Sequence, residues 1–267
     1  MMNIDVLASE ITSRYGTVKR ARKCFLYTAK GVRLVDMYQE EGRAILGWEG
    51  GSAFTMFKNV LCRGISGSFD TDFSYRTKKA VETLFASERV LFIYYSKEAA
   101  LRASILLSKE GTSLYRPWNP VETKWREIDS IVFAPALPWC QKIFIVAAKP
   151  SLVENAYKSG IELPRGEKIP APLHSAIARS VYDLIKALQE REEKNWFIYD
   201  KVLTKYWERK GPYLFPKVSK EVYGDFVKHC LDNGLVISPD YSVPSIIPFG
   251  SDPGVFTQLK NNPFEKE

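Results

Sequence analysis

The sequence predicts an α/β protein with a partly parallel sheet and an α+β C-terminal portion. Three observations carry this. Apolar runs of strand length alternate with stretches whose apolar residues recur at helical spacing. One alternation, residues 89–109, has the full grammar of strand, capped turn and helix. Beyond residue 172, helices and short strands follow one another with glycine stops between them. A length of 267 residues suits one large domain or two small ones. The stretch 159–172, with Pro164, Gly166, Pro170 and Pro172, is the best linker candidate. It divides the chain into 1–165, an N-terminal segment with a short α/β domain, and 166–267, a small α+β domain.

Taken in order, Ile4, Leu7, Ala8, Ile11 and Tyr15 share one helical face, so residues 4–15 read as a helix. Residues 24–28 read as a strand, Lys30-Gly31 as a turn and residues 32–38 as a second strand. The basic run Lys19-Arg20-Ala21-Arg22-Lys23 before them reads as a solvated connection. A glycine-marked stretch from Gly42 to Gly51 leads into a helix over 52–63; residues 64–72 are loop and 74–87 a helix. Residues 89–95 form a nearly continuous apolar run, the pattern of a strand buried on both faces. Ser96 supplies an N-cap, and residues 97–109 an alanine- and leucine-rich helix stopped by Gly111. Strands follow at 130–133 and 143–148. Past the linker come helices over 173–193 and 195–209, a break at Gly211-Pro212 and a strand over 213–215. Ser219 opens a helix that Gly234 stops; a strand over 235–237 and a terminal helix from Ser251-Asp252-Pro253 complete the chain.

Composition excludes several classes. Apolar residues make up 45% and charged residues 26%, which argues against disorder. No apolar run approaches the roughly 20 residues of a bilayer span, and Met1 to Asp5 does not open a signal peptide. A cytoplasmic protein is expected. The four cysteines lack CxxC spacing, and His174 and His229 have no second ligand type close by, so no metal site is expected. Gly64 to Ser68 lacks the Gly-Lys-Ser/Thr ending of a phosphate loop, and Gly42 to Gly51 lacks GxGxxG. A net charge of +7 is compatible with anionic ligands. Nucleic acid is not expected, because the aromatics fall at core-like spacing rather than among the cations.

Two separated blocks carry a resemblance. The first is Tyr27-Thr28-Ala29-Lys30-Gly31-Val32-Arg33-Leu34-Val35-Asp36-Met37, then Ala44-Ile45-Leu46-Gly47-Trp48, continuing at Arg89-Val90-Leu91-Phe92 and Ser96-Lys97-Glu98-Ala99-Ala100. The second runs from Trp196 to Leu259, around Tyr223-Gly224-Asp225-Phe226 and Leu231-Asp232-Asn233-Gly234-Leu235-Val236-Ile237-Ser238-Pro239. In this order they resemble the class III, fold-type I aminotransferases that use pyridoxal phosphate, the group that includes glutamate-1-semialdehyde aminomutase. Trp48 stands where the family has histidine. The resemblance implies an abbreviated fold-type I sheet with an α+β C-terminal domain, much of the catalytic large domain being missing, and a homodimer.

In the family an aspartate pairs with the pyridinium nitrogen and a lysine forms the Schiff base. No matching aspartate or lysine motif occurs here. The nearest substitutes are Asp129, entering the strand at 130–133, and Lys149, leaving the strand at 143–148. Ser96 and Lys97, in place of the family's Gly-Thr pair, offer a helix N-terminus to a phosphate or other small anion, or simply a cap. Tyr94 or Tyr95 would stack on a ring or belong to the core. The aromatic–proline loops at Tyr115 to Pro120 and at Pro138-Trp139 line a pocket, form an interface or pack over the core. Two functions stay open: a degenerate, non-catalytic binding or interaction protein, and a minimal pyridoxal-phosphate enzyme acting on an amino-group-bearing small molecule.

Overall fold

The computed structural model of the chain describes residues 2–108, 113–119 and 124–265. Helix α1 (Ile4–Tyr15) starts where the Asn3 side chain accepts from the Val6 N–H at 2.9 Å, and it buries Leu7 and Ile11. Three antiparallel strands follow: β1 (Val18–Arg22), β2 (Phe25–Thr28) and β3 (Arg33–Asp36). The run expected to be a connection is therefore strand β1. Its side chains are exposed apart from half-buried Ala21, so no apolar alternation marks it; pairing with β2 makes it a strand.

Helices α2 (Ala53–Leu61) and α3 (Phe73–Phe85) come next, then β4 (Val90–Tyr94), α4 (Lys97–Leu107), β5 (Ser113–Leu114), β6 (Ser130–Phe133) and β7 (Phe144–Ala148). Helix α4 ends at Leu107, with Ser108 as its extended C-cap, and Gly111 lies outside the described residues. Helix α5 (Pro150–Lys158) opens on a proline in its first turn and was not foreseen. Helix α6 (Ala171–Glu190) is the longest.

The helix expected over 195–209 is instead α7 (Lys194–Phe197), α8 (Asp200–Leu203) and strand β8 (Trp207–Lys210), which turns at Gly211, φ 56°, into β9 (Tyr213–Pro216). Trp196, Tyr199, Leu203 and Tyr206 are all buried at spacings that imitate a helix. Helix α9 (Tyr223–Asp232) starts later than Ser219 and is followed by Gly234 at φ 77°. Strands β10 (Leu235–Val236) and β11 (Ser245–Ile246), a short 3-10 turn capped by Asp252, and α10 (Thr257–Asn261) finish the fold.

The chain forms two compact units that interleave in sequence. One comprises Met1–Glu49, Trp118–Pro120 and Glu190–Glu267, the other Gly50–Pro117 and Val121–Gln189. The division at 165/166 is thus one of composition: α6 folds with the segments upstream of the proline-rich stretch. The first unit holds the sheet β1-β2-β3-β10, in which β3 and β10 run parallel, and the sheet β11-β9-β8. Its core gathers Trp196, Trp207, Phe226, Phe256 and Leu34, each at most 1% exposed.

The second unit holds the sheet β4-β7-β6-β5. Strands β4, β6 and β5 share one direction and β7 runs against them, so the sheet is mixed and partly parallel. Helix α4 packs across β4, β6 and β7. The fully buried strands are β6 and β7; β4, expected to be covered on both faces, stands at the sheet edge with Val90, Leu91 and Phe92 half-buried. Its open side is covered at one point by the proline-rich segment, where the Glu167 N–H donates to the Ile93 carbonyl at 2.8 Å.

Candidate functional site

Open α/β sheets bind ligands beyond the carboxyl ends of their parallel strands. In the second unit that end lies past Tyr94 and Phe133, where β4 passes into α4. Ser96 has extended backbone and caps α4: its Oγ accepts from the Ala99 N–H at 3.2 Å. The same Oγ donates to Glu98 Oε2 at 2.7 Å. The Ser96 hydroxyl, the Glu98 backbone N–H and the cations Lys97 and Lys142 hold the Glu98 carboxyl below its usual range. The helix N-terminus, which favours one negative charge, already carries that of its own first turn. Tyr94 is core: its ring is buried and its hydroxyl donates to the Pro164 carbonyl at 2.9 Å.

Lys149 and Asp129 lie elsewhere. Lys149 follows Ala148, the partner of Val90 on β4 and of Ser130 on β6. Ser96 stands six residues beyond Val90, so at the rise of a strand the two ends are roughly 20 Å apart. The Lys149 ammonium donates to Asp129 Oδ1 at 2.7 Å and to the Glu127 carbonyl at 2.9 Å. Beside them Arg89, wholly buried, donates to the carbonyls of Asp129 (3.0 Å), Ala147 (3.3 Å), Trp125 (3.1 Å) and Arg126 (3.4 Å) and to Ser87 Oγ (2.8 Å). Together they clasp the loop before β6. The structure thus joins Lys149 to Asp129 and joins neither to Ser96 and Lys97.

The first unit contains a feature that sequence reasoning missed. Gln39, Glu40 and Glu41 have φ of 46°, 50° and 61°, followed by Gly42 at 100°. A left-handed run of non-glycine residues is strained and needs fixing from outside. Asp36 fixes it: one carboxylate oxygen accepts from the Tyr38 and Gln39 N–H groups at 3.0 and 2.9 Å, the other from Trp48 Nε1 at 2.7 Å. The Asp and Trp of the first resemblance block are therefore partners; their separation by a glycine-marked stretch was the only sequence signal. Beside them a cavity of about 230 Å³ is lined by Lys23, Gln39, Ile45, Gly47, Arg191 and Phe249. The Arg191 guanidinium lies 3.9 Å from the Phe249 ring centre and donates to the Ile45 carbonyl at 3.0 Å; burial lowers its pKa to about 10.

Burial pushes the Asp36 carboxyl up to about 6, against three donors that favour its charged form. The folded chain therefore holds a proton that the unfolded chain has released between about pH 4 and about pH 6. The stability this contributes is fully present below about pH 4 and is lost as the pH rises through about 6; the fall is on the order of 2–3 kcal/mol. Asp36→Asn is expected to remove that fall, which urea unfolding of variant and wild type across this range measures.

A larger cavity of about 320 Å³ in the second unit is lined by Met56, Phe73, Tyr75, Arg76, Lys79 and Arg179, among others. Its cations are paired: Arg76 with Asp72 at 2.6 Å, Lys79 with Glu82 at 3.0 Å, Arg179 with Asp183 at 3.1 Å. The aromatic–proline loops pack inward. Tyr115 meets Trp125, Phe85 and Phe133 edge to face, Trp139 lies against Phe54 and Phe57, and Trp118 against Trp196. Pro120 lies outside the described residues. His174 bonds Thr77, and His229 meets the Asn262 carbonyl while its neighbour Cys230 is buried. Among the described residues no cluster of His, Cys, Asp and Glu is placed to hold a metal, and no helix is long and apolar enough to cross a membrane.

No protein-family model matches the sequence. An uncharacterised protein of Treponema pallidum is 26% identical over 295 residues, covering 92% of this chain and 93% of its own. One of Borreliella burgdorferi is 23% identical over 251 residues, covering 91% and 88%. Among solved structures, an omega-aminotransferase from Paracoccus denitrificans superposes with a TM-score of 0.68 at 14% identity, covering 94% of each chain. The PMP-bound form of an aminotransferase from Vibrio fluvialis gives 0.67 at 12%, covering 95% and 93%. Acetylornithine aminotransferase from Elizabethkingia anophelis gives 0.64 at 11%, covering 97% and 98%.

The chain has an aminotransferase-like fold. That much of the resemblance is now a property of the structure; at such identities the likeness extends to fold alone. Pyridoxal phosphate needs a phosphate anchor, an acid for its ring nitrogen and an amine, all around one cleft. The four residues suggested by the sequence do not fit it. The anchor at Ser96 and Lys97 is taken up by the Glu98 carboxylate, and Lys149 and Asp129 neutralise each other at the other end of the sheet.

Proposed function

We propose that this chain is a degenerate, non-catalytic protein on an aminotransferase fold, acting by binding or interaction. The observation that carries the proposal is the separation of Lys149 and Asp129 from Ser96 by most of the length of strand β4. An amine already bonded to a carboxylate and a carbonyl is a poor nucleophile for an aldehyde held at the opposite end. On this reading the four-stranded sheet is a reduced version of the family's catalytic domain. The protein works in the cytoplasm as a homodimer and retains at most a weak site for a small anion near Ser96.

A second reading keeps a minimal pyridoxal-phosphate enzyme acting on an amino-group-bearing small molecule. It is favoured by one observation: Lys97 and Lys142 both act on Glu98, so amines do lie near the N-terminus of α4. The two readings part on covalent trapping. Mixing the purified protein with pyridoxal phosphate and reducing with borohydride is expected to leave no stoichiometric adduct on any lysine. A full adduct on one lysine, with a new visible absorbance band before reduction, would establish the second reading.

A further inference from the structure

We infer that the outer face of the β1-β2-β3 sheet is a binding surface for single-stranded nucleic acid. Between Glu10 and Asp36 the sequence holds seven Lys and Arg residues and no Asp or Glu. Read as a loop, the run Lys19 to Lys23 has no fixed relation to any aromatic ring. As strand β1 it does. Arg20 stands opposite Tyr27, which stands opposite Arg33; in the next row Arg22 stands opposite Phe25, which stands opposite Val35. Directly opposed residues point to the same face of a sheet, so two rings and three guanidinium groups share this one.

The arginines are exposed and the rings half-buried. The Arg33 guanidinium lies 4.6 Å from the Phe25 ring centre and that of Arg20 lies 5.9 Å from Tyr27. Planar cations layered on rings present flat surfaces on which an unpaired base can stack, with the phosphate's counter-charge alongside. Arg20 and Arg22 are about 7 Å apart along the strand, a spacing suited to successive phosphates of an extended chain. Arg22 also pairs with Glu49 at 3.1 Å, so it contributes less than the other two, and Lys30 is occupied capping α1 through the Ser13 and Arg14 carbonyls. Protection of the sheet edge by charge would account for the cations of β1. It does not account for Arg33, which is on inner strand β3 in the same row as Arg20 and Tyr27. A duplex hides its base faces, so the single strand is the partner that uses both the rings and the charges.

The test is fluorescence anisotropy with a labelled oligouridylate about 12 nucleotides long, run over a salt series. Binding is expected at low salt, with log affinity falling against log salt at a slope of about −2 for three phosphate contacts. Replacing Arg20, Arg22 and Arg33 together by Gln is expected to weaken it at least about tenfold and flatten the slope. Tyr27→Leu is expected to weaken it about tenfold with the slope kept. A control in the second unit, Lys58, Lys158 and Lys168 each to Gln, all exposed, is expected to change nothing. Unfolding curves confirm that the variants fold. The inference is overturned by absent binding, by a triple arginine variant that binds like wild type, or by a duplex or heparin bound as tightly. It is equally overturned if the variant loses anionic phosphatidylglycerol vesicles rather than RNA.

Discussion

Replacing Arg89 by methionine is expected to lower the free energy of unfolding by on the order of 3 kcal/mol, the scale of leaving more than one buried acceptor without its charged donor. Arg89 is wholly buried at the start of β4, and its five donor contacts reach four main-chain carbonyls and one hydroxyl. Those carbonyls belong to the loop before β6 and to β7, which Lys149 also ties together through Glu127 and Asp129. Methionine fills much of the same volume but donates nothing, so the carbonyls lose their partner in a place water reaches poorly. Lys149→Met is the companion measurement. The Lys149–Asp129 pair is about one-third exposed on each side, and solvent screening holds its worth to about 0–1 kcal/mol. Urea unfolding of both variants at neutral pH therefore separates the residue that holds this corner from the one that decorates it. Equal losses would contradict the clasp as described.

Trp207→Ala is expected to cost about 3–5 kcal/mol, as large aromatic-to-alanine changes in cores do. Trp207 opens β8, is fully buried, and meets Tyr206 and Phe226 with ring centres 5.8 and 5.1 Å away. Its indole N–H is buried and finds no acceptor among the described residues. That changes the outlook for a second variant. Trp207→Phe removes the unpaired donor while keeping most of the ring, and the two effects oppose each other. It is expected to cost less than about 1.5 kcal/mol. Thermal or urea unfolding of the pair checks both, and a phenylalanine variant as damaged as the alanine one would show that the N–H has a partner after all.

Much of the fold was legible because local signals and tertiary demands agreed. The β4–Ser96–α4 unit showed its strand as an apolar run and its cap as a serine, and both are in place. Gly234 marked the end of α9 because only a residue tolerant of positive φ fits there. Strand β1 was illegible: an edge strand with four exposed residues of five has no pattern beyond its charges, and its pairing with β2 is a long-range fact. The segment 195–209 misled for the opposite reason, since four buried residues at helical intervals serve two short turns and a strand instead.

The site was less legible than the fold. Ser96 was visible as a cap, but the decision between a cap and an anion site depends on Glu98 folding back onto it. Lys149 and Asp129 could each be named as strand-end residues. That they bond each other follows from the register of β6 against β7, in which Ser130 faces Ala148. No spacing rule contains that register. The pairing of Asp36 with Trp48 was equally hidden, although both residues belong to the first stretch that resembles the aminotransferases.

The most direct measurement is the intact mass of the protein as isolated from cells, taken after borohydride reduction and followed by peptide mapping. The account predicts the unmodified mass, with every lysine free of a pyridoxyl group. One pyridoxyl group per chain, mapped to a single lysine, would contradict it.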